Sequence, residues 1–480
     1  MKHLHAWIPL LGLVAFSGLA SAAGQDSAGF LARPYLQLGD APTRMTGELA
    51  LLWQTEDVDA NWAVEIKAAT ATAWSAPLKP TFRRVALASV APHRVYQVTL
   101  ASLAAGVGFE YRVKKGTEVV FSAQGRARKH ADQQYRFVAV GDIAQGTPAQ
   151  KAIAFQIGQA RPDFAMITGD IVYARGRITE YREKFWPVYN ADDASPTTGA
   201  PSIRTFPFIA APGNHDIAAR DFEKYPDGLA YFYYWNQPLN GPETGPFTLP
   251  LTGPEANTRA FLEAAGKAYP RAANFSFDYG NAHWTVLDAN PYVDWRDPGL
   301  RDWVARDLAS ARGATWRFVA YHHPAFNSAK EHFEQQEMRL VADLLEAGKV
   351  DVVFNGHVHN YQRTFPIRFV ADRDAQGKMI REKNLVPGKW TLDKSFDGAK
   401  DTTPEGVIHI VTGAGGAGLY NPEQQAQPET WQTFTDKFIS TIHSITVVDV
   451  NDRTLTVRQV DVDGKTIDEF KVTKNNQRND

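Results

Sequence analysis

Five short apolar runs in this chain each end in residues that can hold a metal ion or move a proton. RFVAV (136–140) leads into Gly141-Asp142, and FAMIT (164–168) leads into Gly169-Asp170, with Tyr173 three residues on. FPFIAAP (206–212) leads into Gly213-Asn214-His215-Asp216. RFVAY (317–321) leads into His322-His323-Pro324, and VDVVFN (350–355) into Gly356-His357-Val358-His359. Two Asp, one Asn, one Tyr and three His make seven ligands, too many for one tetrahedral zinc. They suit two metals that share a carboxylate. Spacing alone does not choose between His322 and His323. Asp142, Asp170 and an ionised Tyr173 bring three negative charges, against five positive charges on a ferric–divalent pair. The excess of about +2, or about +1 with a bridging hydroxide, attracts a phosphate dianion. Two metals can also generate hydroxide at neutral pH and clamp the attacking and leaving oxygens.

The elements that must position these residues follow from the surrounding pattern. From Tyr135 onward, apolar strand-like runs alternate with helical patterns, which predicts a layered α/β domain. Helices are expected from about Pro148 to Gln159, under the Leu300/Trp303/Val304/Leu308 stripe, and from about Glu331 to Ala347. Ligands on α/β sheets bind beyond the carboxyl ends of the strands, so five motifs at five such ends point into one crevice. A glycine before the polar residue lets the chain leave the strand sharply and approach closely. Residues 440–473 return to antiparallel strands, with turns at Asn451-Asp452 and Asp463-Gly464. Residues 31–130 read as six or seven short strands, a β-sandwich, with a Phe109–Val113/Val119–Ser122 hairpin. The polar stretch around Gly125–Asp132 reads as a linker. The aromatic-rich stretch 217–272 reads as an excursion that packs over the core. Gly413–Gly418 satisfies G-x-G-x-x-G after a strand, but no helix follows, so it reads as a close-packed turn.

Composition narrows the class. The chain has 480 residues, a formal net charge of −2 and no cysteine. That excludes a disulfide framework, a CxxC redox centre and a thiol nucleophile, so any metal must take oxygen and nitrogen ligands. Near-neutral charge argues against a nucleic-acid binder. The N-terminus has Lys2, an apolar run from Ala6 to about Leu19, and the small residues Ala20-Ser21-Ala22. This predicts a cleavable secretory signal over residues 1–22, and hence a secreted or periplasmic protein with no membrane span.

The order G-D, G-D-x-x-Y, G-N-H-D, H-x-P, G-H-x-H resembles the calcineurin-like metallophosphoesterases, and Tyr173 resembles the purple acid phosphatase branch. RPYLQLG (33–39) and the following strands are similar to that family's fibronectin type III-like N-terminal domain. FSFDYGNAHWTVLDAN (275–290), GHVHNYQRT (356–364) and VIHIVTGAGGAG (407–418) are similar to its core segments. The resemblance implies an N-terminal β-sandwich over 31–130. It also implies a catalytic domain over 135–473, with two mixed β-sheets packed together, flanked by helices and built of ββαβ-type units. By resemblance, Asp142, Tyr173 and His359 bind a ferric ion and Asp170 bridges. Asn214, His322 and His357 bind a divalent iron, zinc or manganese. His322 is chosen over His323 because the family's ligand lies two residues before Pro324. His215 stabilises the transition state or acts as general acid, and His332 resembles a second substrate-facing histidine. The implied activity is acid phosphatase: metal-bound hydroxide hydrolyses small-molecule phosphate monoesters and releases inorganic phosphate. Two departures stand out, Ala144 where the family's D-x-G has glycine and Gln362 where glutamate is common. A phosphodiesterase or nucleotide-processing enzyme on the same metals is the alternative. A non-catalytic surface binding module is more remote, since a decayed site should have lost ligands and all seven are present.

Overall fold

The computed structural model describes residues 29–40 and 47–475. The expected signal at 1–22 lies outside the described residues. Seven strands come first: Phe30–Gln37, Leu49–Glu56, Trp62–Ala68, Thr81–Val85, His93–Leu100, Gly108–Lys115 and Glu118–Arg126. They form a four-stranded and a three-stranded antiparallel sheet. Along Gly108–Lys115 the inward residues Phe109, Tyr111 and Val113 alternate with outward ones, the period of a strand with one buried face. They meet Leu51, Trp53, Trp62 and Tyr96 from the other strands in one core. The expected hairpin is present, with Lys115 opposite Glu118 and Gly116 at φ 63° in its two-residue turn. The linker expected around Gly125–Asp132 starts later, because Gly125 and Arg126 still pair with Phe109 and Gly108.

From Tyr135 the chain builds two mixed sheets that pack face to face, as the fold class predicted. The first runs Phe208–Ala210, Phe164–Ile167, Tyr135–Val140, Ser444–Asn451, Thr454–Asp461, Thr466–Thr473. The second runs Phe275–Tyr279, Ala282–Val286, Trp316–Ala320, Val352–Asn355, Ile408–Thr412, Tyr361–Thr364, Thr435–Ile439. The central strands are parallel and buried on both faces, so they read as continuous apolar runs rather than alternating ones. Between the sheets the Phe137 ring lies 5.0 Å from Trp284 and 5.6 Å from both Phe318 and Phe354, the core of the sandwich.

Helices cover the outer faces. Pro148–Ala160 starts with Pro at its first position and Thr147 as cap, whose Oγ1 accepts the Gln150 amide. It packs Ile153, Ala154 and Ile157 on the first sheet. Pro298–Ser310 is capped by Asp297 and buries Leu300, Val304 and Leu308 against the second. The 217–272 excursion packs as expected. Tyr231, Phe232, Tyr233, Tyr234 and Trp235 are all buried, and Tyr234 Oη bonds His93 Nε2 of the N-terminal sandwich at 2.9 Å. The helix expected over 331–347 is shorter, an α-helix only at Ala342–Ala347 after a 3-10 turn at Glu337–Val341. Residues before it are drawn off by tertiary partners. Asn421 Oδ1 accepts the Glu331 amide, the Asn384 carbonyl accepts that of Gln336, and His332 sits at φ 60°.

An ionic triad, buried at His283 and Asp307 and one-third exposed at Asp278, ties this second sheet to its helix. His283, opposite Asp278 in the hairpin, bonds Asp278 Oδ1 at 2.7 Å and Asp307 Oδ2 at 3.1 Å. Burial lowers the His283 pKa, but the two carboxylates outweigh it and raise it to about 9. A raised folded-state pKa stabilises fully below the unfolded value of about 6.5 and fades as pH rises through 9. His283→Ala is expected to destabilise the fold by about 3 kcal/mol at pH 6. The difference from wild type should shrink at pH 9.5, as measured by denaturant unfolding at both pH values.

Candidate metal centre

The parallel strands deliver all five motifs to one edge. Gly141 donates its amide to the Thr412 carbonyl at 2.9 Å, which joins the two sheets at this edge, and Gly356 donates to the His322 carbonyl at 3.0 Å between neighbouring turns of the second sheet. The turns are then cross-tied through the acidic side chains. The His357 amide donates to Asp142 Oδ2 at 2.8 Å, and the His215 amide to Asp170 Oδ1 at 2.9 Å. The glycines are required by this closeness. A Cβ on Gly356 would stand 2.7 Å from Asp142 Oδ2, and one on Gly213 would collide with the Asp170 amide and carboxylate. Asp142, Asp170 and His357 themselves sit at φ 62°, 52° and 68°. Left-handed backbone costs about 1–2 kcal/mol per residue, and its repetition at three strand ends marks a site held open for function.

Two donor clusters result. Tyr173 Oη lies 3.0 Å from Asp142 Oδ1 and 3.1 Å from His359 Nε2, and those two atoms are 3.3 Å apart. His322 Nε2 lies 3.1 Å from Asn214 Oδ1 and 3.3 Å from Asp170 Oδ1. Donor atoms of Asp170, His322 and His357 all fall within 4.8 Å of one another. The far nitrogen of each imidazole is engaged. His322 Nδ1 pairs with the Thr168 carbonyl at 2.8 Å, His359 Nδ1 with the Gly418 carbonyl at 2.7 Å, and His357 Nε2 with Gln335 Oε1 at 2.7 Å. A ring that donates one N–H in this way presents the other nitrogen as a lone pair, the arrangement of metal-binding histidines. The donor set is oxygen and nitrogen throughout, suited to hard and borderline cations, and it fits a pair of metal ions.

Buried neighbours set the charges in the site. Burial would raise the Asp170 carboxyl, but His322 and His215 outweigh it and hold the carboxyl below the usual range. His322 is held above its ordinary value, because Asp170 outweighs the effect of burial. Burial holds His357 neutral, with neighbouring imidazoles adding to the effect. Burial, then Asp142 and Asp170, push the Tyr173 phenol far above its ordinary value, so ionising it takes a strong cation at its oxygen.

His322 rather than His323 faces Asp170. His323 is buried with its ring 4.1 Å from that of His357, and its Nδ1 has no hydrogen-bond partner. His215 is one-third exposed, its Nδ1 2.7 Å from the Ala174 carbonyl and its ring 4.4 Å from that of Tyr173. His332 lies against His357, ring centroids 4.0 Å apart, and lines a cleft of about 590 Å³ with Lys330, Phe333, Gln335, Asn384 and Gln432. Neither departure disturbs the donors. The Ala144 carbonyl accepts the Tyr173 amide at 3.1 Å without needing positive φ. Gln362 is buried and bonds Asn327, Ser328 and Asn360.

Motif reading missed three partners. Asp216 accepts the Gly213 and Ile171 amides and so pins the G-N-H-D turn. Burial, then Asp170, push its pKa up to about 8. Gly418 ends the glycine-rich run whose close packing was legible; a Cβ on Gly413 would stand 2.8 Å from Asp142 Oδ2. Gln335 carries no sequence signal beyond standing three residues after His332.

Two packed mixed sheets with paired donor clusters at their carboxyl edge are the frame of a metallophosphoesterase. Residues 135–361 match the family described as Calcineurin-like phosphoesterase, and residues 406–469 that described as Iron/zinc purple acid phosphatase-like protein C. The chain thus carries a calcineurin-like phosphoesterase region followed by a purple acid phosphatase-type C-terminal region. It is 25% identical over 328 residues to "Probable inactive purple acid phosphatase 27" of Arabidopsis thaliana, covering 66% of this chain and 44% of that one. It is 26% identical over 303 residues to "Purple acid phosphatase 1" of Ipomoea batatas, covering 62% and 54%. The match thus spans about half the length of these curated relatives. A purple acid phosphatase from yellow lupin (Lupinus luteus) seeds shares the fold, with TM-score 0.64 at 18% identity over 92% of this chain and 74% of that one. Among the described residues, no helix is long and apolar enough to cross a membrane.

Proposed function

We propose that this chain is a secreted acid phosphatase that hydrolyses phosphate monoesters at a binuclear ferric–divalent centre. The observation that carries the reading is the triple anchoring of His322, His357 and His359 beside the carboxylates: Nε2 of His322 and of His359 faces the Asp170 and Asp142 oxygens, and His357 has a donor nitrogen within 4.8 Å of those of Asp170 and His322. Asp142, Tyr173 and His359 would hold the ferric ion, Asp170 would bridge, and Asn214, His322 and His357 would hold iron, zinc or manganese. When bound, such a pair supplies Lewis acidity and an activated water for phosphoryl transfer. The chain's own residues do the rest. His215 commits Nδ1 to the Ala174 carbonyl and so keeps Nε2 for the substrate. Protonated on Nε2, the ring is a cation that can stabilise charge on the phosphoryl oxygens and pass a proton to the leaving alkoxide. His332 offers a second donor from the cleft wall. The N-terminal sandwich, over 31–130, would support the catalytic region, over 135–473, without supplying chemistry. The apolar run and Ala20-Ser21-Ala22 support export.

The test combines metal analysis with a phosphoester panel. Two metals per chain are expected, with aryl phosphate hydrolysed faster than bis(aryl) phosphate. A visible tyrosinate-to-iron absorption is expected as well, and it should vanish in Tyr173→Phe. Much faster diester turnover would overturn the monoester assignment in favour of a phosphodiesterase. A colourless, fully active protein holding only zinc or manganese would reject the ferric site.

A further inference from the structure

Gln335 touches two imidazoles at once. Its Oε1 lies 2.7 Å from His357 Nε2, and its Nε2 lies 3.2 Å from His332 Nδ1. A carboxamide accepts only at oxygen and donates only at nitrogen. The oxygen therefore takes the N–H of His357 at Nε2, which leaves the His357 lone pair on Nδ1. The amide N–H points at the lone pair of His332 Nδ1, which puts the His332 hydrogen on Nε2. The opposite amide orientation reverses both rings. The NH₂ group would then demand a lone pair at His357 Nε2 and move that ring's hydrogen to Nδ1, away from any metal-binding role. Packing holds the arrangement. The His332 and His357 rings are 4.0 Å apart and tilted by 37°, and Tyr420 stands 5.5 Å from the His332 ring and stacks on His359 at 4.0 Å.

We propose that Gln335 is a positioning residue that sets the hydrogen placement of two histidines. It keeps the His357 lone pair turned toward the second metal site, and it keeps His332 as an Nε2–H donor to the phosphoryl group in the adjoining cleft. This rests on the metal-centre reading of the site. Through one side chain, the group that binds the divalent ion and the group that faces the substrate are fixed together.

Two variants separate the two arms. Gln335→Met keeps the length and removes both bonds. Gln335→Glu still accepts from His357 Nε2–H but has no hydrogen for His332 Nδ1, so it drives the His332 hydrogen to the wrong nitrogen. Metal affinity is read by titrating the metal-free protein with zinc against a competing chelator, and folding by thermal unfolding. Gln335→Met should weaken the second metal about 10–100-fold. Gln335→Glu should keep zinc affinity at or above the wild-type level while kcat/KM for an aryl phosphate falls about tenfold. In a His332→Ala background, Gln335→Glu should cause no further fall. Wild-type zinc affinity in Gln335→Met, or equal zinc loss in both variants, would overturn the His357 arm. A further fall in the His332→Ala background would overturn the His332 arm. Either result in a protein that binds two metals and cleaves monoesters leaves the proposed function standing. A wild-type chain that takes up no metal pair would overturn that function and this assignment together.

Discussion

His215→Ala is expected to lower kcat for an aryl phosphate by about 10²–10⁴-fold, the range for a positioned proton donor, while both metals stay bound. The reason lies in what its turn does without the ring. The His215 amide donates to Asp170 Oδ1, and the neighbouring Asn214 meets His322. Both contacts survive truncation of the side chain. What disappears is an imidazole held by the Ala174 carbonyl and seated 4.4 Å from Tyr173 at the open side of the centre. KM should change less than kcat, because a donor to a departing alkoxide acts mostly in the transition state. Steady-state kinetics with metal analysis on the same preparation checks this. Loss of metal from His215→Ala would show that the ring is a ligand.

Asp170→Ala is expected to abolish binding of both metals and to reduce activity to background. Asp170 is the carboxylate proposed to bridge the two metals. Its Oδ1 faces His322 at 3.3 Å and accepts the His215 amide, and its charge also acts on the Tyr173 phenol. Without it, His322 loses its ionic partner in a fully buried position. Removing one member of a buried pair costs about 3–5 kcal/mol, so the metal-free variant should also unfold at lower denaturant concentration than metal-free wild type. Plasma-emission metal analysis and denaturant unfolding of both metal-free proteins read the two effects separately. A variant that keeps a full metal complement would show that the clusters bind independently and share no carboxylate.

Much of the site can be read along the chain because its parts are local. A buried parallel strand is a continuous apolar run, and a glycine before a polar residue marks where the chain turns out of it. Gly141-Asp142, Gly169-Asp170 and Gly356-His357 are legible for that reason. The alternation Phe109/Tyr111/Val113 and the Gly116 turn are legible in the same way. The failures are also physical. Residues 331–336 have helix-competent composition, yet Asn421 and Asn384 capture the Glu331 and Gln336 amides from distant loops. Local propensity, worth a few tenths of a kcal/mol per residue, yields to such partners.

The sequence by itself determined the donor types, their order, the glycine turns that let them approach, and a cysteine-free, oxygen-and-nitrogen chemistry. It also determined that two kinds of β structure surround the site. Spacing alone left His322 and His323 open and the family resemblance pointed to His322; the tertiary structure sets that residue, and not its neighbour, against Asn214 and Asp170. It alone brought Thr168, Gly418 and Gln335 behind the three imidazoles. These partners come from 154, 59 and 22 residues away along the chain, and two of the three act through backbone carbonyls. A carbonyl is common to every residue, so its role is set by where the fold places it and leaves no mark in the sequence.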